Sequence, residues 1–561
     1  MAISTGVAAQ PLADPDGNRA RSTTWLPYAL LGLLFVLMTV FTVTQYAVHG
    51  RSWDDWMQDD YGKRLLQFYL TLGEDRSFME MAPNLYMPQH GAAYETIVAL
   101  VQHFTGEQWH TRSVVGGITG LIGILAIALC GRELAGPWGA FTAALGLALY
   151  PRYVGSMFNN SKDIPFAVAM IIALWLVLRL VRRWQEPGRR SGVLDGALAG
   201  AAIGFAAAIR VNAMAWFAIL ALLVAAYWLR RRPTGARAVR AELARQAGTL
   251  LVIGCTCYLV MSLTWPYLLV EPINGLFDSV KQMSAYQWNH EILYRGEMVY
   301  APEAPWHYSL VWLIVGSPLP MVVLSIAAIG VVLWRIAVPR SLTAPASESE
   351  STAAEPATDK NGQYLVLALY VVVPLSLIVA LQPTLYNSLR QFLYVVPGFL
   401  LIATVVLLGA VRHAVRSGRR SLKILAAGLV GLAVLGQAEA VAASARIYPY
   451  EYAYFSPIVG GYAQARHGYE SEYWGSCAHA AATWLDDHYR EFPVDKPTFQ
   501  DFVSWNPLVE QELPNVEDVG DGNPVFAITK EPKDGYRQIH AVVVEDEVLC
   551  QVGIRSDIPL P

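Results

Sequence analysis

The chain has 561 residues, of which 54% are hydrophobic and only 15% are charged, and its formal net charge is −4. This composition, with a mean hydropathy of +0.34, is unusual for a soluble domain and typical of a polytopic membrane protein. The small net charge argues against a nucleic-acid partner. Residues 1–26 are polar and contain Pro and Gly, so we expect a cytoplasmic tail and no cleavable signal peptide.

Apolar runs of about membrane length predict an all-α polytopic bundle of eleven transmembrane helices within residues 27–442. The predicted spans are 27–48, 113–131, 137–151, 164–181, 194–211, 213–229, 247–268, 308–334, 364–382, 392–411 and 422–442. Arginine-rich connections alternate with arginine-poor ones, and the positive-inside rule makes the arginine-rich set cytoplasmic. We therefore expect a plasma (inner) membrane protein with its N-terminus inside and its C-terminus outside.

Two segments outside the predicted spans differ in character. Residues 341–362 are low-complexity and acidic-polar, as in a flexible cytoplasmic linker. Residues 443–561 are long enough for a small extracytoplasmic α+β domain. This domain has an amphipathic stretch at 477–491 and β-type runs at 524–530 and 539–554.

The last β-type run predicts a hairpin that turns around Glu545-Asp546. Cys477 and Cys550 also lie in the predicted outer domain, where a disulfide and two free thiols are both open alternatives. Within the bundle, "GALAGAAIG" (196–204) has glycines at four-residue spacing, which predicts a face for close helix packing.

The first predicted outer loop, 49–112, opens with "WDDW", which places Asp54 and Asp55 between two tryptophans. Tryptophan prefers the membrane interface, so the acid pair should lie at that depth. A carboxylate there can act as a general base toward a hydroxyl, and a solvated acidic loop is the alternative. Farther along, apolar residues at helical spacing through 92–104 predict an amphipathic helix, which either lies on the membrane surface or packs against the outer domain.

The second predicted outer loop contains "FNNSKDIPFA" (158–167), in which Asp163 stands at the start of a span. An acidic residue suits a helix N-terminus, but this role does not account for Lys162, Asn159 and Asn160. A cation, two amides and a carboxylate at the interface favour a site for a charged head group. A lysine beside a helix N-terminus also attracts phosphate.

Two arginines add positive charge on the same predicted side. Arg210 lies in a tight turn between two spans and should face the bundle, because an arginine is costly in lipid. Arg390 begins a span within an aromatic loop and suits phosphate recognition, with an interfacial anchor as the alternative. Tyr386 and His307 are weaker candidates for positioning a donor or an acceptor.

The sequence contains neither a P-loop nor a dinucleotide-type Gly-rich loop after a strand, which disfavours a nucleotide-sugar reaction. Acids, cations and aromatics above an apolar bundle suit a lipid-linked phosphate donor and a hydroxyl acceptor. A transporter and a non-catalytic cell-envelope assembly protein are the alternatives. No internal repeat is evident and the charges lie at the rim of the predicted bundle, which favours an enzyme.

The order of these features resembles the superfamily C (GT-C) glycosyltransferases, polytopic enzymes that use polyprenyl-phosphate sugars. Within this superfamily the chain is similar to a bacterial, protein mannosyltransferase-like branch (glycosyltransferase family 39-like). The resemblance covers roughly 50–475 and is carried by 150–167, 385–397 and 448–475. It implies a polyprenyl-phosphate sugar donor, a glycan, lipid or protein acceptor as in cell-envelope or protein glycosylation, and a surrounding lipid bilayer.

The resemblance also implies roles for individual residues in an inverting single displacement. Asp54 corresponds to the general base, Asp55 stands where glutamate is more usual, and Asp163 corresponds to an acid that orients acceptor or base. The cations Lys162, Arg210 and Arg390 would hold the leaving phosphate. Asn387 and Gln391 stand where an Asp and a His are expected. Three acids suffice to hold a divalent ion, but we expect no metal and no other cofactor.

Overall fold

The computed structural model describes residues 25–82, 85–185, 193–231, 235–284, 286, 288–337, 360–503, 509, 513–520 and 522–561. The expected cytoplasmic tail, 1–26, lies outside these residues except for its last two positions. The expected linker, 341–362, lies outside them except for its last three positions.

Most of the described chain is helical. The α-helices are α1 (Leu26–Gln45), α2 (Asp55–Leu70), α3 (Ala93–Thr105), α4 (Trp109–Ala148), α5 (Pro151–Ser156), α6 (Asp163–Gln185), α7 (Val193–Ala207), α8 (Ala215–Arg231), α9 (Ala236–Thr264), α10 (Tyr267–Val270), α11 (Asn274–Ser284), α12 (Tyr308–Val315), α13 (Leu319–Ala337), α14 (Asn361–Leu381), α15 (Val396–Ser417), α16 (Arg420–Ile447), α17 (Gly461–Ala465) and α18 (Cys477–His488). Short 3-10 turns precede α8 and α15, at Val211–Met214 and Arg390–Val395.

The strands form two small sheets at the same side of the bundle. They are β1 (Glu291–Tyr294), β2 (Glu297–Tyr300), β3 (Thr498–Asp501), β4 (Glu517–Asp518), β5 (Phe526–Thr529), β6 (Tyr536–Val544) and β7 (Glu547–Arg555). The first two pair as a hairpin, and the other five form a mixed sheet in the order β4-β3-β5-β7-β6.

Eight helices within the described residues are long and apolar enough to cross a membrane, and two shorter apolar helices, Val193–Ala207 and Leu319–Gly330, accompany them. The predicted class, a helical multi-pass bundle with a small C-terminal α+β domain, is confirmed, whereas the number eleven is not. The predicted spans 113–131 and 137–151 correspond to the two halves of α4, which meet at Gly136, a residue with non-helical φ and ψ.

Helix α4 folds sharply between those two predicted spans. Gly136 has a φ of 75°, and Pro137 follows it with no N–H to donate. A Cβ on Gly131 would lie 2.2 Å from the carbonyl oxygen of Gly139, so the two halves of α4 pack directly against each other. Both ends of α4 therefore lie at one side of the bundle, and the kink at Gly136 lies at the other side.

The predicted glycine face packs against α9. A Cβ on Gly200 would lie 2.4 Å from the carbonyl oxygen of Ile253, and one on Gly204 would lie 2.2 Å from that of Cys257. Any larger side chain would push the two helices apart, so glycine is required for this approach.

The C-terminal domain agrees with the predicted elements where the pattern was strong. The stretch 477–491 forms α18 and a 3-10 turn, and Glu545-Asp546 forms the turn of the β6–β7 hairpin, with φ of 47° and 64°. Cys477 and Cys550 are both buried and unbridged, with their thiols in contact. The short strands of this sheet, β3 and β4, and the β1–β2 hairpin had no strong sequence pattern and were not predicted.

Candidate functional site

A cavity at one end of the bundle collects polar and aromatic side chains from widely separated parts of the chain. It encloses about 1330 Å³, part of which is open to solvent. Its polar wall contains Asp54, Gln58, Gln89, His90, Lys162, Arg210, Asn212, Arg390 and Gln391, and its aromatic wall contains Trp53, Tyr286, Trp288, Tyr386 and Trp474. We call this space the candidate cavity.

The turn before α2 separates the two acids of the "WDDW" motif. The backbone N–H of Asp55 donates to the carbonyl oxygen of Ser52 at 3.0 Å, and Asp55 Oδ2 accepts from the N–H of Ser52 at 2.8 Å. This closed turn holds Asp55 against the bundle, whereas Asp54 lines the candidate cavity. The N–H of Trp53 donates to the carbonyl oxygen of Trp474 at 3.0 Å, which fixes the turn to the C-terminal segment.

Arg390 is the cation nearest to Asp54. Its Nη1 lies 3.6 Å from Asp54 Oδ2, which is an ion pair too long to be a hydrogen bond. The guanidinium lies over the rings of Tyr386 and Trp474, with its carbon 5.1 and 4.5 Å from their centroids. Arg390 Nε is buried and has no hydrogen-bond partner among the described residues. The arginine therefore keeps donors available for an anionic ligand.

Lys162 and His90 form a second polar contact in the wall. Lys162 Nζ lies 3.4 Å from His90 Nδ1, and His90 Nε2 lies 3.2 Å from the carbonyl oxygen of Leu85. Burial, together with Lys162 and Arg210, lowers the pKa of His90 well below its usual range. The ring is therefore neutral, with Nε2 donating to Leu85 and Nδ1 accepting from Lys162. Burial also lowers the pKa of Lys162 to about 8, although the charge of Asp54 opposes this shift.

Asp163 lies behind the cavity wall and supports Arg210. The side chain of Asn160 closes the start of α6, because its Oδ1 accepts the N–H of Lys162 at 3.1 Å and that of Asp163 at 2.7 Å. Its Nδ2 donates to Asp163 Oδ2 at 2.9 Å. The other oxygen, Oδ1, lies 2.5 Å from Arg210 Nη2, so a buried carboxylate aims the guanidinium at the candidate cavity.

Asp55 belongs to a different cluster, beneath the first turn of α2. Arg112 lies between two buried carboxylates, with Nε 3.2 Å from Asp55 Oδ1 and Nη2 2.6 Å from Glu95 Oε2. Burial raises the pKa of both carboxyl groups, and Arg112 opposes that shift. Asp55 does not line the candidate cavity, and its contacts connect α2, α3 and α4.

Of the remaining predicted candidates, one lines the candidate cavity and two lie away from it. Tyr386 lines the candidate cavity and stacks on Trp288, with ring centroids 4.5 Å apart and an interplanar angle of 12°. Asn159 is buried away from it, and its Nδ2 donates to Ser476 Oγ at 3.3 Å. His307 lies at the start of α12, with Nδ1 2.8 Å from the hydroxyl of Tyr294, and does not line the cavity.

Several cavity residues were not selected from the sequence. His90 follows the "MPQ" turn, and a Cβ on the next residue, Gly91, would lie 2.3 Å from the carbonyl oxygen of Ile209. This close approach brings His90 to the turn that contains Arg210, and no pattern in the sequence indicates it. Trp474 is supplied by the C-terminal segment, and a single tryptophan there carries no pattern of its own.

The predicted acids do not converge. Asp54 faces Arg390, Asp55 faces Arg112, and Asp163 faces Arg210. No group of three or more His, Cys, Asp or Glu side chains in the described part of the chain is arranged to hold a metal ion.

Comparison with known proteins supports the resemblance seen in the sequence. Residues 90–265, less than half of the chain, match the family described as dolichyl-phosphate-mannose-protein mannosyltransferase. This segment contains Lys162, Asp163 and Arg210, but neither Asp54 nor Arg390. No curated protein matches the chain. Over this segment the family match agrees with the protein mannosyltransferase-like resemblance seen in the sequence.

Several solved structures match the chain at low sequence identity and with TM-scores below 0.5. ArnT from Cupriavidus metallidurans, bound to undecaprenyl phosphate, matches with a TM-score of 0.44 and 15% identity over 92% of this chain and 97% of its own. The apo oligosaccharyltransferase of Archaeoglobus fulgidus matches with a TM-score of 0.49 and 12% identity over 89% of this chain and 65% of its own. AglB of the same archaeon, in complex with an inhibitory peptide and a dolichol-phosphate, matches with a TM-score of 0.47 and 14% identity over 88% of this chain and 65% of its own.

Proposed function

We propose that this protein is a membrane glycosyltransferase that transfers a sugar from a polyprenyl-phosphate donor to a hydroxyl acceptor in the candidate cavity. The observation that carries the proposal is the meeting of one carboxylate with three cations. Asp54 shares the cavity with Lys162, Arg210 and Arg390. The match of residues 90–265 to the mannosyltransferase family supports the same reaction class.

The charge of the reaction fits this wall. A polyprenyl-phosphate sugar is a phosphodiester with one negative charge, and the polyprenyl phosphate that leaves carries up to two. The additional charge develops as the bond between the sugar carbon and the phosphate oxygen breaks. Fixed cations in a partly dry site stabilise that charge more in the transition state than in the bound donor, which accelerates the reaction.

Asp54 supplies the base. The acceptor hydroxyl gives its proton to an Asp54 carboxylate oxygen while its oxygen forms the new bond to the sugar carbon. A single displacement of this kind inverts the configuration of that carbon. Because the 3.6 Å contact with Arg390 is not a hydrogen bond, the carboxylate has acceptor sites available for the hydroxyl.

Amide groups in the wall suit the hydroxyl groups of a sugar. Gln58 Oε1 and Gln89 Oε1 are buried and have no hydrogen-bond partner among the residues described. A buried acceptor without a donor is costly, and a sugar hydroxyl would remove that cost. The aromatic pair Trp288 and Tyr386 adds a flat apolar surface beside these amides.

Arg182 and Arg183 lie in the last turn of α6, whereas Asp163 begins that helix beside the cavity, so we propose that the reaction takes place on the extracytoplasmic face of the inner membrane. The polyprenyl chain would then remain in the bilayer while its phosphate enters the cavity. We propose no metal for the reaction, because the three predicted acids are each directed to a different arginine.

The test uses the purified full chain in nanodiscs with a panel of radiolabelled polyprenyl-phosphate sugars, including mannose, arabinose and aminoarabinose donors. We expect one donor to be consumed and its polyprenyl phosphate to appear in equal amount. Boiled protein is the control for spontaneous hydrolysis. If folded protein consumes no donor but moves a labelled lipid or solute across proteoliposomes, the transporter alternative replaces this proposal.

Lys162 predicts a pH dependence in the binding of polyprenyl phosphate, the group that leaves in the proposed reaction. With a pKa of about 8, its amine is charged below that pH and becomes neutral above it. Undecaprenyl phosphate is fully ionised in this range, so its affinity should decline above pH 8, by up to about tenfold per pH unit. Lys162→Arg should remove the decline, because guanidinium stays charged. Binding measured by native mass spectrometry between pH 7 and 10 checks this, and an unchanged profile in Lys162→Arg would exclude Lys162 as the cause.

A further inference from the structure

A second polar cavity lies at the opposite end of the bundle from the candidate cavity. It encloses about 970 Å³, part of it open, and its wall includes Arg132, Glu133, Arg179, Arg182 and Lys360. Helix α6 carries Asp163 at its start and Arg182 near its end, which places the two ends about 28 Å apart at 1.5 Å per residue. We call this second space the kink pocket, because it adjoins the kink in α4 at Gly136.

The side chains of Lys360 and Arg412 donate hydrogen bonds to backbone carbonyl oxygens at the kink in α4. Pro137 has no N–H, so the carbonyl oxygen of Glu133 loses its helical donor. Lys360 Nζ replaces it, at 3.1 Å from the oxygen of Glu133 and 3.0 Å from that of Leu134. Arg412 donates to the carbonyl oxygen of Ala135. These bonds use neutral acceptors, and Lys360 forms no salt bridge with a carboxylate in the part of the chain that the structure describes.

Positive charge exceeds negative charge in the kink pocket. Among the described lining residues Glu133 alone is acidic, and its Oε2 lies 2.7 Å from Arg182 Nη1. Arg132 and Arg179 have no carboxylate within salt-bridge distance among the described residues. They lie over aromatic rings instead, Arg179 4.9 Å from the centroid of Trp175 and Arg132 5.9 Å from that of Tyr28. A guanidinium stacked in this way keeps its N–H edge open to a ligand.

The depth of the pocket fits a phosphate at the membrane interface. Arg179 and Arg182 lie in the last turns of the apolar helix α6, and Trp175 lies one turn deeper. Tryptophan and arginine in this order mark the level of lipid head groups. Basic pockets between helices at that level bind anionic head groups, and paired arginine forks match phosphate oxygens.

We propose that the kink pocket binds a phosphate group, either the head group of an anionic phospholipid or a free phosphate ion. Arg132 and Arg179 would contact its oxygens, while Lys360 and Arg182 contribute charge. The site shares no residue with the candidate cavity, so the proposal does not depend on the proposed glycosyltransferase activity.

The test is calorimetric titration of the purified full chain in detergent at constant ionic strength. The three probes are dihexanoyl phosphatidylglycerol, zwitterionic dihexanoyl phosphatidylcholine and inorganic phosphate. The variant is Arg132→Gln/Arg179→Gln, and Arg240→Gln, an exposed arginine at the start of α9, is the matched control. We expect the double variant to bind the anionic probe roughly 30-fold more weakly and the control to bind it normally.

The probes separate the two sources of phosphate. Binding of phosphatidylglycerol that inorganic phosphate does not displace identifies a lipid head group, and equal binding of inorganic phosphate identifies the free ion. No binding of either anion, equal binding of phosphatidylcholine, or binding that survives in the double variant would overturn the proposal.

Glu133→Gln provides a test in the opposite direction. It removes the carboxylate of Glu133, which lies 2.7 Å from Arg182 and competes with a bound phosphate for that guanidinium. We expect the affinity for the anionic probe to rise about fivefold, because one repulsive charge is lost. A fall in affinity would contradict an electrostatic phosphate site, even if the double-arginine variant proved too unstable to purify.

Discussion

Replacing Asp54 with asparagine is expected to reduce sugar transfer by roughly 100- to 10,000-fold, the usual contribution of a positioned general base. Asparagine keeps the size of the side chain but cannot accept the proton of the acceptor hydroxyl. The loss should fall on kcat. Donor affinity should be maintained or improved, because Arg390 then loses its ion pair at 3.6 Å and becomes available to the donor phosphate.

Asp60→Asn is the matched control for that variant. Asp60 lies on the same helix, α2, and its carboxylate forms a half-exposed pair with Arg64 at 3.0 Å. It does not line the candidate cavity. Turnover in Asp60→Asn should equal that of the wild type. Transfer in Asp54→Asn within tenfold of the wild type would remove Asp54 as the base while leaving the reaction class open.

Thermal stability separates loss of chemistry from loss of fold. Asp54 makes no side-chain cap to α2, and about a fifth of its side chain is exposed. Its replacement leaves the buried guanidinium of Arg390 without its carboxylate at 3.6 Å, so the melting temperature of Asp54→Asn should fall. Transfer is therefore compared at a temperature at which thermal unfolding shows both the variant and the wild type to be folded.

The free-energy cost of placing a charged side chain in lipid explains which site residues could be predicted from the sequence. A lysine or arginine beside an apolar run must face a protein interior or a ligand, because lipid does not solvate it. That argument selected Lys162, Arg210 and Arg390, and the structure places all three in one cavity. It could not supply their partners, because the ion pairs to Asp163 and Asp54 join segments 47 and 336 residues apart along the chain.

Sequence patterns also could not predict the different positions of the two acids of "WDDW" or the packing of the two halves of α4. Sequence alone treats Asp54 and Asp55 alike, and only the bond from Ser52 directs one inward and the other toward the cavity. Apolar runs predicted two spans, 113–131 and 137–151, and the structure has two helical halves of α4 joined at Gly136, whose φ and ψ are non-helical. The apolar pattern located both helical halves, but it could not show that they pack directly against each other, because that contact depends on the conformation of Gly136.

The structure therefore makes Asp55 a candidate for stability, although its catalytic role stays a prediction. Arg112 is the group that decides between the two roles. Its side chain is 6% exposed and lies between the carboxylates of Asp55 and Glu95. A buried carboxylate left without its cation is strongly destabilising, typically by about 3–5 kcal/mol.

Arg112→Met is accordingly expected to destabilise the protein by about 3–5 kcal/mol, since it leaves two unpaired carboxylates in a buried cluster. Arg64→Met is the control, because its pair with Asp60 is exposed and worth less than about 1 kcal/mol. Thermal unfolding in detergent, followed for both variants and the wild type, measures the difference. A melting temperature of Arg112→Met equal to that of Arg64→Met would show that the cluster does not stabilise the fold.

The pH dependence of Arg112→Met carries the same argument further. Burial already raises the pKa of Asp55 and Glu95, and removing Arg112 removes the charge that opposes this rise. An acid whose pKa is higher in the folded state costs stability as pH rises above its unfolded value, about 4. The defect should therefore be largest at neutral pH and shrink on acidification toward pH 4. Adding Glu95→Gln should restore part of the loss at neutral pH, since one buried charge fewer then lacks a partner. If Asp55 instead acts mainly in catalysis, Asp55→Asn would lose turnover without this pH-dependent loss of stability.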